Sequence, residues 1–212
     1  DRGFIYSLHA NQFQFVYNLA PGPCIVNAIN NAGIACGWRT VDGPPINPTA
    51  AFVWSTQNNV FTDIGVLNGP RSEAIAINDN NIVVGWTGTS GVRAGDVGFI
   101  YDHGTVEYIP PVTPGGSSSA TGINNTRVVV GGGLVPTSQS YPLNFVNRAL
   151  VYSGGKMTLI DPAPGFLRSF ATSISDAGVM TGVSWDTPGI GDATQGFLWQ
   201  GGAVQQMNYL FN

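Results

Sequence analysis

An all-β fold, a β-propeller of about five four-stranded blades, is what the sequence predicts. Three observations lead there: an aromatic block recurs at near-constant spacing, a turn block recurs in phase with it, and no stretch keeps a 3.6-residue period long enough for a helix. The aromatic block reads Gly3-Phe4-Ile5-Tyr6, Ala51-Phe52-Val53-Trp54, Gly98-Phe99-Ile100-Tyr101, Ala149-Leu150-Val151-Tyr152 and Gly196-Phe197-Leu198-Trp199, at spacings of 47–51 residues. The turn block reads Ala28-Ile29-Asn30-Asn31, Ala76-Ile77-Asn78-Asp79, Gly122-Ile123-Asn124-Asn125 and Ser173-Ile174-Ser175-Asp176, each followed by a glycine at Gly37, Gly85, Gly131 and Gly182.

Within one unit the pattern predicts four strands, clearest at Ala51–Ser55, Val60–Gly65, Ser72–Asn78 and Ile82–Thr87. The Asn-Asp-Asn-Asn type linker between the last two is a hairpin turn, since Asn, Asp and Gly accept the left-handed conformation such turns need. Small residues at Ala74, Ala76, Ala120, Gly122, Ala171 and Ser173 place the third strand nearest the axis, where blades crowd. The aromatics Tyr6, Trp54, Tyr101, Tyr152 and Trp199 are blade-packing residues. The units fall at about 3–50, 51–97, 98–148 and 149–195, with a half unit at 196–212, all in one repeat domain spanning 1–212. A four-bladed propeller and a β-solenoid are the alternatives. Radial closure is preferred because it protects strand edges.

Composition narrows function by exclusion. Only 9% of residues are charged, Lys156 is the sole lysine, and the net charge is −4 at an isoelectric point near 4.8. There is no basic stripe for nucleic acid and no apolar run near the roughly 20 residues of a membrane span. Neither partner is expected. The chain opens on Asp1 without a charged-then-apolar leader, which reads as a processed form or a recombinant segment, and a secreted setting is the expectation. Cys24 and Cys36 form a candidate disulfide in such a setting, with small packing residues as the other reading.

Antiparallel order sorts the loops onto two faces. The variable segments Trp38–Ala50, Trp86–Val97, Gly132–Arg148 and Val183–Gln195 share one face, where long irregular loops on a rigid scaffold commonly bind. Candidate ligand-binding residues there are Trp38, Arg39, Arg71, Trp86, Arg93, Arg168, Trp185 and Asp186. Indoles beside polar groups suit the apolar face of a sugar ring, and the same indoles also serve as caps over the core. Arg71 and Arg168 hold equivalent positions before third strands. With those strands innermost they flank the central opening and suit an acidic glycan.

Catalytic patterns are sparse. His9 and His103 fall in short turns of non-neighbouring units, no nucleophile motif or cofactor loop is found, and no metal or cofactor is expected. Asp79-Asn80-Asn81 is turn chemistry rather than a calcium loop. Asp186 and Asp192 are the carboxylates a glycoside hydrolase would use, from a single loop. The leading expectation is a non-enzymatic binding or assembly module engaging glycan, extracellular matrix or protein; a polysaccharide-degrading hydrolase or lyase is the alternative.

The run Ala51-Phe52-Val53-Trp54, Asp63-Ile64-Gly65, Ser72-x-Ala74-x-Ala76-Ile77-Asn78-Asp79 and Ile82-Val83-Val84-Gly85 resembles the HAF-type repeat family of extracellular bacterial proteins. The resemblance covers essentially the whole chain and implies export and a repeat architecture, with no catalytic residues to carry over. Ser175 departs from the usual Asn, and Cys24 stands where Ser72, Ser118 and Ser169 stand. By the family pattern the final hairpin, 196–212, lacks its partner half. That half would pair with 3–19 or extend the last blade, and the unpaired hairpin is a candidate edge for homo-oligomer formation through terminal strands.

Overall fold

The computed structural model describes residues 3–15, 23–42, 48–89, 94–137, 145–186 and 194–207, and these contain strands and turns without a helix. Strands β1 (Phe4–Ser7) and β2 (Gln12–Phe15) form a two-stranded sheet. Blade 1 comprises β3 (Cys24–Ile29), β4 (Ile34–Thr40), β5 (Thr49–Ser55) and β6 (Val60–Gly65). Blade 2 comprises β7 (Arg71–Ile77), β8 (Val83–Gly88), β9 (Val97–Asp102) and β10 (Thr105–Ile109). Blade 3 comprises β11 (Ser119–Ile123), β12 (Val129–Pro136), β13 (Phe145–Ser153) and β14 (Lys156–Ile160). Blade 4 comprises β15 (Arg168–Ile174), β16 (Met180–Trp185), β17 (Thr194–Gln200) and β18 (Ala203–Gln206). All pairs within blades are antiparallel, and a single parallel bridge between Thr49 and Arg71 ties blade 1 to blade 2.

The four-stranded reading of the second unit holds to within two residues, but the blade is offset from the sequence unit by two strands. Each blade starts with a turn-block hairpin and ends with the aromatic hairpin that follows it. The final aromatic strand is therefore not unpaired. Gly196, Phe197 and Trp199 of β17 pair with Val183, Gly182 and Met180 of β16, which corrects the expectation that the 196–212 hairpin lacks a partner half. The half blade is at the other end, β1–β2. The reason is pairing order: the strand preceding an aromatic block in sequence is the one that closes its ladder, and β1 has no such strand among the described residues.

The innermost position of the third strand is borne out, since β3, β7, β11 and β15 pack successively against one another. Every one of these strands carries a bulge at the same place, between Val26 and Ala28, Ala74 and Ala76, Ala120 and Gly122, and Ala171 and Ser173. The bulge explains the repeat glycine. A Cβ on Gly37, Gly85 or Gly131 would run into the carbonyl of Ile25, Glu73 or Ser119 on the facing inner strand. Bulge residues also reach the next blade: Asn27 Nδ2 donates to Ala74 O (2.7 Å) and Thr121 Oγ1 to Ala171 O (2.8 Å).

Two further polar devices join the blades. At the start of an inner strand, Ser72, Ser118 and Ser169 each accept from an N–H of the previous blade, those of Ala51 (2.9 Å), Gly98 (2.9 Å) and Ala149 (3.0 Å). The same hydroxyls donate to Gly65 O (2.5 Å), Ile109 O (2.6 Å) and Ile160 O (3.0 Å). At the other end, Asn30, Asn78 and Asn124 fold their own turns and donate forward to Asn78 O (2.9 Å), Asn124 O (2.9 Å) and Ser175 O (3.2 Å). Ser175 has no amide to pass on.

Cys24 and Cys36 are free, buried thiols in different core clusters. Cys24 lies opposite Arg39 and Cys36 opposite Ala28, so the two are offset along adjacent strands by about 10 Å, beyond disulfide reach. The disulfide expectation is thus corrected. Loss of hydration in the core pushes the Cys36 thiol up to about 12.

Candidate functional site

The two ends of the blades differ in how their polar groups are used. At the short-turn end the turns β3–β4, β7–β8, β11–β12 and β15–β16 surround a cavity of about 280 Å³. Its rim is a relay of alternating amide and carboxylate. Asp79 accepts from the N–H and Nδ2 of Asn31 (3.0 and 2.9 Å), and Asp176 accepts from the N–H and Nδ2 of Asn125 (2.7 and 2.9 Å). Asn125 Oδ1 takes the N–H of Asp79 (2.8 Å). The Asn31 N–H, with the Asn125 and Asn31 amides, holds the Asp79 carboxyl below the ordinary carboxylate range. The turn reading of Asp79-Asn80-Asn81 agrees with this geometry, with Asn81 in the left-handed region at φ 62°.

A charged network lies between blades 2 and 3, beside a cavity of about 500 Å³ lined by Glu107, Arg127 and Tyr152. Arg127 bridges Asp102 and Glu107, the latter at 3.2 Å, and the Tyr152 hydroxyl donates to Glu107 Oε1 at 2.8 Å. His103 Nδ1 meets Asp102 Oδ1 at 2.7 Å, so His103 belongs to this network. Bonds from His103 and Arg127 depress the Asp102 carboxyl, while burial and then Glu107 raise the Tyr152 phenol. The signal was present in the sequence as a departure from the repeat. Register places Thr62, Thr158 and Gln205 where Glu107 stands, and Gly33, Asn81 and Gly178 where Arg127 holds a left-handed φ of 63°.

The candidate ligand residues gather at the long-loop end. Arg39 is ion-paired with Asp63 and half-buried. Trp38 faces Ile25 and Ala51 across the sheet, and Trp86 faces Glu73 and Gly98. Burial raises the Glu73 carboxyl, with Arg71 opposing. The equivalent of the two indoles in blade 3 is Gly132, because the Phe170 ring of blade 4 lies where its Cβ would be. Arg168 stands directly opposite Trp185 across the β15–β16 ladder. Arg93 and Asp192 lie outside the described residues, as do the central parts of all four long loops.

One property singles out this end. Four buried side-chain polar atoms among the described residues have no hydrogen-bond partner: Arg39 Nε, Thr113 Oγ1, Arg168 Nη1 and Asp186 Oδ1. All four sit at the long-loop ends of strands or in the β10–β11 connection on that face. An unsatisfied buried group costs about 1–3 kcal/mol, and such groups in native proteins ordinarily meet water, an ion or a ligand. Arg168 Nη1 offers a donor and Asp186 Oδ1 an acceptor; Arg168 pairs with Trp185 across the β15–β16 ladder, and Asp186 follows Trp185 at the end of β16.

No protein-family model and no curated protein matches the chain. Among solved structures it is similar to the β-propeller domain of the Trilobed protease from Pyrococcus furiosus, described as having an open velcro topology. The identity is 14% and the TM-score 0.58, over 96% of this chain and 61% of that one. That likeness shows the β-propeller fold. The chain spans about three fifths of the matched chain's length.

Proposed function

We propose that this propeller is an extracellular, non-enzymatic binding module that engages a glycan or glycan-bearing matrix component at its long-loop face. The observation that supports it is the set of orphaned polar atoms at that end, in contrast with the satisfied relay at the other. At the long-loop end of β15–β16 a guanidinium donor faces an indole across the ladder, and a carboxylate acceptor follows that indole in the chain. A vicinal pair of sugar hydroxyls supplies one acceptor and one donor to such groups, and an apolar ring face lies against the indole. The HAF-type resemblance supports the extracellular setting.

The test is a glycan array on the full chain, with hits measured by calorimetry. A hydrogen bond to a charged group is worth about 1.5–3 kcal/mol, so Arg168→Met or Asp186→Asn is expected to weaken binding roughly 10- to 100-fold. Glu107→Gln, at the opposite end, leaves affinity unchanged. An array without hits, or hits insensitive to both variants, overturns the reading. Polysaccharide turnover abolished by Asp186→Asn would replace it with the hydrolase or lyase alternative.

A further inference from the structure

The gaps between blades repeat along with the blades, so one gap serves as the reference for another. Between blades 1 and 2, Val53, Thr62, Asn81, Tyr101 and His103 line a cavity of about 300 Å³. Between blades 2 and 3, the register equivalents Ile100, Glu107, Arg127, Tyr152 and Gly154 line one of about 500 Å³. A neutral hydroxyl and a neutral amide in the first gap are thus replaced in the second by a carboxylate and a guanidinium. The imidazole gives way to a glycine at which a Cβ would meet nothing within 4 Å. The second gap is therefore wider and charged, in a chain of which only 9% of residues are charged.

Both charges are held in position. Tyr152, 7% exposed, donates its hydroxyl to Glu107 Oε1 at 2.8 Å, which orients the carboxylate. Arg127 holds φ 63°, a left-handed backbone that an arginine seldom adopts, and donates through Nη2 to Glu107 Oε2 at 3.2 Å and through Nη1 to Asp102. The Arg127 and Glu107 side chains remain 41% exposed, so the contact between them is weak and open to exchange. Bonding capacity remains on each. Every Glu107 oxygen accepts one of these bonds and has room for a second, and the guanidinium has five N–H groups of which these bonds use two. Two carboxylates against one guanidinium also leave an excess of negative charge while His103 is neutral.

We propose that the gap between blades 2 and 3 is a binding site for a zwitterionic α-amino acid. Its ammonium donates to Glu107 and its carboxylate accepts from Arg127, in place of the direct contact between the two. The ligand's opposite charges are joined through a single carbon, so they stand side by side as the two protein groups do. The ammonium also meets the excess negative charge, and a cavity of about 500 Å³ admits a small organic molecule. This site and the long-loop face do not depend on each other.

The probe is L-leucine, titrated into the full chain and followed by calorimetry and by amide NMR. Expected are saturable one-to-one binding and shifts at Glu107, Arg127 and Gly154, with none at Thr62 and Asn81. Isoamylamine lacks the carboxylate and isocaproate lacks the ammonium; each is expected to bind at least about 10-fold more weakly, because a bond to a charged group is lost. Glu107→Gln, an isosteric change, is expected to weaken leucine binding by at least about the same factor. Arg127→Gln is expected to do so too, and if that variant fails to fold, Glu107→Gln and the two analogues still decide. No saturation at about 10 mM leucine, equal binding of either analogue, shifts confined to the gap of Thr62 and Asn81, or unchanged binding in Glu107→Gln would overturn the proposal.

Discussion

The short-turn end and the long-loop end of these blades are built from the same strands and reach opposite polar outcomes. At the short-turn end Asn78 is buried, folds its own turn through acceptance from the N–H of Asn80 (3.1 Å) and Ile82 (2.9 Å), and still donates to Asn124 O. At the long-loop end Arg168 and Asp186 each bury a polar atom with no hydrogen-bond partner among the described residues. The difference teaches where free energy of folding is gathered and where it is withheld. Repeated turns hold blades together through hydrogen bonds that recur from blade to blade, whereas the orphaned groups lower stability and leave bonding capacity for a ligand.

Substitutions at the two ends therefore differ in size and in sign. The largest effect is expected for Asn124→Ala, which removes an acceptor for the N–H groups of Thr126 and Val128 and a donor to Ser175 O. A loss of about 2–4 kcal/mol is expected in urea denaturation, with glycan affinity unchanged. Ser118→Ala leaves the N–H of Gly98 and the carbonyl of Ile109 without their buried partner, a loss of about 1–3 kcal/mol by the same measurement. Arg168→Met is expected to keep or slightly raise Tm, since it deletes an orphaned buried donor, while weakening ligand binding roughly 10- to 100-fold; a fall of more than about 1 kcal/mol in stability would mean the guanidinium has a structural partner after all.

The smallest effect belongs to the charged network. Arg127→Gly relieves a left-handed backbone but removes the ion pairs with Asp102 and Glu107, so stability is expected to change by less than about 1 kcal/mol. Its pH signature is more informative than its size. The Asp102 carboxyl is depressed in the folded state, so its contribution is present above the unfolded value near 3.8 and is lost as pH falls through the folded value. An acid titration of stability is expected to show a shallower decline in Asp102→Asn. An identical acid limb in the variant would remove Asp102 from the account.

Much of the fold was legible because the repeat is dictated by local chemistry. The strands of the second unit, the Asn-led turns and the small inner strand all follow from residue type and alternation along a single segment. The repeat glycine was visible but not its cause, which is a bulge on a facing strand. The candidate site was legible in part. Sequence order alone puts Arg168, Trp185 and Asp186 at the long-loop end, but only the β15–β16 register sets Arg168 opposite Trp185. The network of Asp102, His103, Glu107, Arg127 and Tyr152 was passed over, because its members sit far apart in sequence and meet across two blades.

By itself, then, the sequence determined the unit: its strands, its turns, its direction and the face on which its variable loops emerge. Tertiary structure decided which strands share a blade, and so moved the half blade from residues 196–212 to Phe4–Phe15. It also decided that Cys24 and Cys36 stay apart and that the unmet polar atoms collect at one end. The physical reason is that period and propensity act along the chain, whereas ladder closure, burial and hydrogen-bond satisfaction depend on which segment becomes the neighbour.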